Sequence, residues 1–77
     1  MSEITVFLRH AKRSHSTDLD LSNRELSFIP KELFSMRNVE RLNLSHNKLE
    51  YIEASITELY KLKELDLSNN MLTEIPM

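Results

Sequence analysis

The chain has 77 residues and no Cys, and its net charge is −2, with 40% hydrophobic and 29% charged residues. One domain fits this length, and the lack of Cys excludes disulfides, thiol nucleophiles and Cys-ligated metal sites. No apolar run reaches the roughly 18 residues that a membrane-spanning helix needs.

The charge is unevenly distributed: residues 1–16 carry +2 and residues 17–77 carry −4. Nucleic-acid binding depends on clustered Lys and Arg, so the acidic main part of the chain argues against a nucleic-acid partner. The N-terminus lacks the basic region and cleavage site of a signal peptide. We therefore expect a cytoplasmic protein, with the nucleus as an open alternative, and no membrane partner.

The N-terminal segment predicts a helix. Ile4, Phe7, Leu8 and Ala11 would share one face of it, and Ser2 could cap its start. We expect residues 1–15 to cover the open end of the following segment, as terminal caps of repeat proteins do. The alternative is a basic arm built on Arg9, Lys12 and Arg13, although three fixed charges are fewer than the about four to eight of lipid-binding clusters.

A 23-residue repeat occupies the rest of the chain. The sequence Leu-x-Leu-Ser begins at Leu19, Leu42 and Leu65, and the same spacing aligns apolar positions further along each unit. We predict three units, 16–38, 39–61 and 62–77, of which the last lacks a return segment. The predicted structural core of the repeat comprises Leu19, Leu21, Leu26, Leu42, Leu44, Asn47, Leu49, Leu65, Leu67, Asn70 and Leu72.

Two local periods within each unit indicate how it folds. Leu-x-Leu alternates as a short strand does, whereas Leu33, Met36 and Val39 recur every three residues, as in a short helix or 3₁₀ segment. Stacked units would pair their strands in parallel, which predicts an α/β fold. Asn47 and Asn70 follow the strands, where their amides could bond the backbone of a turn.

The motif Leu42-x-Leu44-x-x-Asn47-x-Leu49 resembles the signature of the leucine-rich repeat family. The 23-residue length and the Ile-Pro ending are similar to its intracellular Ras-suppressor and Shoc-2 types. The resemblance implies a solenoid with a short parallel sheet on its concave side and helical or 3₁₀ returns on its convex side. It also implies protein binding on the concave face. The first unit departs from the signature, with Arg24 at the Asn position.

The outward positions of the strands form the predicted binding face. Arg41 should lie between Asp18 and Glu64 and pair with both acids. In the neighbouring column, we expect Asn43 to hydrogen-bond Asp20 and Asp66; a cation site there would need about six oxygens, which no loop supplies. Five acids against two bases favour a basic protein or peptide partner. The residues of the predicted face are Asp18, Asp20, Glu40, Arg41, Asn43, His46, Lys63, Glu64, Asp66 and Asn69.

The residues predict no enzyme, cofactor or metal. Ser45 and His46 are neighbours on a strand, so their side chains would point to opposite sides as ordinary surface residues. We expect a non-enzymatic protein-interaction module. The alternative is a structural stub or fragment of a longer leucine-rich repeat protein that docks or self-associates through an uncapped C-terminal unit. Its exposed apolar edge would comprise Leu65, Leu67, Leu72 and Ile75.

Overall fold

The computed structural model describes residues 3–73. These residues form helix α1 (Glu3–Arg13), strands β1 (Asp18–Asp20), β2 (Arg41–Asn43) and β3 (Glu64–Asp66), and two 3₁₀ segments, Lys31–Ser35 and Ala54–Glu58. The predicted capping role of Ser2 and the predicted exposure of Ile75 lie outside the described residues. The division into a helix over 1–15 and three units stays a prediction.

The three strands form a parallel sheet in the order β1-β2-β3. Leu19 pairs with Leu42, and Leu42 with Leu65, so the register equals the 23-residue repeat. Beyond the strands, the Leu21 N–H donates to the Asn43 carbonyl and the Leu44 N–H to the Asp66 carbonyl, both at 2.8 Å. Each unit is thus bonded to the next along a line longer than the strands themselves.

The core lies between the sheet and the 3₁₀ segments. Leu21, Leu33, Val39, Leu44 and Leu49 are completely buried in one cluster, as the alternating and three-residue patterns require.

Burial declines towards β3. Leu19 and Leu42 are 5% and 2% exposed, whereas Leu65 is 38% exposed, and Leu67 and Leu72 are only half-buried. The prediction that Leu65 belongs to the buried core is therefore wrong. The exposure of Leu65 agrees instead with the prediction of an exposed apolar edge. The physical reason is that, within residues 3–73, β3 has a paired strand on one side only.

Helix α1 packs against the first unit through the predicted face. Leu8 and Ala11 are buried in the shared core, with Ile4 and Phe7 packed partly buried against it. The Arg24 guanidinium lies 4.7 Å from the centroid of the Phe7 ring, a cation–π contact that ties the first unit to the helix. In the part of the chain that the structure describes, no helix is both long and apolar enough to cross a membrane.

A tight turn ends α1. The Ser16 N–H donates to the Ala11 carbonyl and the His15 N–H to the Lys12 carbonyl, both at 3.1 Å, and His15 takes φ 53°. This is the hydrogen-bond pattern of a Schellman cap, with His at the left-handed position where Gly is usual. The turn brings the chain directly into β1.

Candidate binding face

The side of the sheet that points away from the core carries the predicted binding residues. On β1 and β2 the central Leu is buried, so its two neighbours point outward, and β3 continues the same register although its central Leu65 is 38% exposed. We call these outward positions, together with the residues that flank them, the sheet face. Its strand residues are Asp18, Asp20, Arg41, Asn43, Glu64 and Asp66.

Arg41 is at the centre of an ion-pair network on the sheet face. Its Nη1 lies 3.0 Å from Asp18 Oδ1 and its Nε 3.2 Å from Glu64 Oε2, so the predicted cross-strand pairs are confirmed. Its hydrogen bond to Asp18 raises the pKa of Arg41 above its ordinary value. Glu40 joins the network, with Oε1 3.3 Å from Lys63 Nζ. Because these pairs are exposed, they order the side chains more than they stabilise the fold.

The neighbouring column corrects another prediction. The Asn43 side chain bonds to neither Asp20 nor Asp66. Its Oδ1 accepts two hydrogen bonds from Ser45, one from the backbone N–H at 2.9 Å and one from the hydroxyl Oγ at 2.6 Å. Asp20 and Asp66 accept the same pair of bonds from the serine two residues on. Those bonds lower the pKa of both acids below the ordinary value. Each member of the column therefore closes its own local turn, because Asp and Asn side chains readily bond groups two residues further along the chain.

The prediction that Ser45 is a surface residue is also wrong, because Ser45 is only 5% exposed. Its hydroxyl is directed back to Asn43, which removes it from the surface that a partner could touch. The sequence signal for this role was the serine two residues after Asp20, Asn43 and Asp66 in every unit.

The turn after each strand contains a left-handed residue on the rim of the sheet face. Asn23, His46 and Asn69 have φ values of 55°, 55° and 56° and stand 23 residues apart. Asn and His tolerate this conformation better than most residues other than Gly, which the chain lacks. The Asn69 side-chain amide lies 3.3 Å from His46 Nε2, so two predicted binding residues are in contact. Asn23, absent from the predicted face, has the same geometry.

The amide of Asn47 holds neighbouring units together beneath this rim. Its Oδ1 accepts from the N–H groups of Arg24 and Leu26, both at 3.0 Å, and its Nδ2 donates to the Leu21 and Leu44 carbonyls, both at 2.9 Å. Asn70 repeats the arrangement one unit later, with bonds that include the Leu49 N–H and the Leu44 carbonyl. The predicted turn-bonding role of Asn47 and Asn70 is confirmed.

No group of three or more His, Asp or Glu within residues 3–73 has an arrangement that could hold a metal ion. The sheet face instead offers exposed carboxylates, one guanidinium, one ammonium and amide groups, which can form ion pairs and hydrogen bonds.

Comparison with known protein families gives one result. A family model described as leucine rich repeat matches residues 15–72, from the turn after α1 to the last half-buried leucine. A comparison with curated proteins gives no significant match.

Proposed function

Because the chain belongs to the leucine-rich repeat family, we propose that it is a non-enzymatic module that binds a protein or peptide partner through the sheet face. Leucine-rich repeat domains generally bind protein partners. In this proposal the three units form a short solenoid, and the sheet face is its concave side. The lack of Cys supports a reducing compartment such as the cytoplasm.

The observation that carries the proposal is the ordered row of charges along the sheet face. Arg41 is fixed by acids on both neighbouring strands, yet about half of its side chain is exposed. Fixed but accessible polar groups lose little conformational freedom when a partner binds. The sheet therefore presents a preorganised polar surface.

The charge balance of the sheet face supports a partner with a basic surface. Its acids are Asp18, Asp20, Glu40, Glu64 and Asp66, and its bases are Arg41 and Lys63. Complementary charge speeds association and selects among partners. Three strands make a small patch, so we expect an interface at or below the roughly 1,200 Å² lower end of stable specific complexes.

Charge reversal with a matched control tests the proposal. Glu64→Lys reverses an exposed acid that pairs with Arg41 on the sheet face. Glu58→Lys reverses an exposed acid that lies on the second 3₁₀ segment and pairs with Arg37. Both variants change the net charge equally. We expect Glu64→Lys to lose the binding partner captured by the unchanged chain and Glu58→Lys to retain it, with circular dichroism confirming the fold of both. Equal capture by the two variants would remove the sheet face from the proposal.

A second candidate function rests on the exposure of Leu65. In this alternative, β3 docks onto the first strand of another leucine-rich repeat unit, as part of a longer array or in a second copy of the chain. Sedimentation equilibrium at rising concentration separates this candidate from the first. Self-association abolished by Leu65→Lys would favour it, and a monomer at every concentration would argue against docking between copies.

A further inference from the structure

A groove of about 370 Å³ lies where α1 meets the first 3₁₀ segment and the turn after it. None of its lining residues belongs to the sheet face, so it is independent of the proposed function. Lys12 and His15 line it from the helix side, and Arg37 and Asn38 from the repeat side. No acid is among the side chains that line it. In a chain with a net charge of −2, this groove is locally positive.

The polar groups of the groove are held in place. Lys12 Nζ donates to Ser35 Oγ at 3.0 Å, which fixes the ammonium at the rim and leaves it further N–H donors. The Asn38 side-chain amide lies 3.4 Å from His15 Nδ1, a contact that orients the imidazole ring. The backbone of His15 is itself fixed by the turn that ends α1.

Arg37 supplies the second fixed positive charge. Its Nη2 lies 3.4 Å from Glu58 Oε1, and both side chains are at least half exposed. This contact uses one of the five N–H donors of the guanidinium. The others remain able to bind an anion, with Glu58 as the competing acid.

The walls between these groups are apolar. Ala11 and Met36 line the groove, and each is 5% exposed. A ligand that fits both features has an anionic group attached to a short apolar stem. Two cations and an imidazole suit the several acceptor oxygens and the charge of about −2 of a phosphate monoester.

We propose that this groove binds a phosphorylated serine or threonine side chain of a protein partner. A membrane surface fits the observations less well. A recess with apolar walls suits a single side chain better than a plane of headgroups.

The test is a titration of the full chain, labelled with ¹⁵N, with a blocked pentapeptide that contains one phosphoserine between alanines. Saturable shifts are expected at the backbone amides of His15, Ser16 and Asn38. Lys12→Gln and Arg37→Gln should each weaken binding roughly tenfold, because each removes a charge-assisted contact. Arg13→Gln is the matched control: it removes the same charge from the same helix without lining the groove. It should change the affinity less than about twofold.

Four outcomes would overturn the proposal. The first is the absence of saturable shifts, and the second is equal weakening by Arg13→Gln, which would indicate general charge attraction. The third is equally tight binding of a peptide with glutamate in place of phosphoserine, which would make the groove a carboxylate site. The fourth is binding to vesicles rich in phosphatidylserine without binding to the phosphopeptide. Within residues 3–73, the hydrogen bond of Arg37 goes to Glu58 and not to α1. Arg37→Gln therefore tests the groove even if Lys12→Gln loosens the helix.

Discussion

Replacing Asn47 with Ala should destabilise the fold severely. The side chain is 6% exposed and bonds five backbone groups in two units. At a net contribution of about 0.5–1.5 kcal/mol per bond, and with water reaching some of the freed groups, the loss should be about 3–5 kcal/mol. A domain of this length is stable by roughly 4–12 kcal/mol. The five groups are the N–H groups of Arg24 and Leu26 and the carbonyls of Leu21, Leu44 and Ser45.

Urea unfolding followed by circular dichroism measures this loss, and Asn70→Ala provides the matched control. Asn70 makes four such bonds, one fewer than Asn47, and is only half-buried, so water can replace more of them. We expect Asn70→Ala to cost roughly half as much. If Asn47→Ala cost less than about 1 kcal/mol, or no more than Asn70→Ala, the claim that this amide closes the units would be refuted.

Three further predictions concern stability. Leu44→Ala should lower the free energy of unfolding by about 2–5 kcal/mol, because Leu44 is fully buried between two units; an unchanged melting temperature would contradict the register. Asp20→Asn combined with Asp66→Asn should flatten the acid dependence of stability. The folded state lowers the pKa of both acids below 3.8. Each ionised acid therefore contributes to the free energy of unfolding above that pH, and this contribution is lost as the pH falls through the lower pKa of the folded state. Urea midpoints measured from about pH 5 to about pH 2 would test this, and equal slopes in variant and parent would refute it. Glu25→Asn should raise the melting temperature, because Glu25 has φ 57° and Asn tolerates that conformation better by up to about 1 kcal/mol; a decrease would show that the ion pair of Glu25 matters more.

The sequence predicted those features that the repeat itself determines. A constant spacing of 23 residues sets the strand register, and the register sets which side chains meet across strands. The position of Arg41 between two acids follows directly from it. The same argument anticipated that Asn47 would bond backbone groups, because its position just past a strand leaves turn groups to satisfy.

Features that depend on a choice between two available partners could not be predicted in this way. Asn43 could have bonded across the sheet or along its own turn, and the nearer donors of Ser45 are the ones it binds. The contact between Arg24 and Phe7 depends on how α1 packs against the first unit, which no periodic pattern determines. The groove beside Lys12 likewise depends on how α1 packs against the first unit, so no motif in the sequence marks it.

The bonds of Asn47 and Asn70 that cross between units run in one direction along the chain. Asn47 satisfies the turn of the unit before its own, and Asn70 does the same for the unit of Asn47. Each unit therefore relies on its successor to close its turn, whereas the loss of an earlier unit removes no amide from a later one. Opening of the array should consequently start at β3 and advance towards α1, with amide hydrogens exchanging with solvent in that order. At the helix end, Arg24 stands at the position of the repeat asparagine, and the first unit meets α1 through the contact of Arg24 with Phe7.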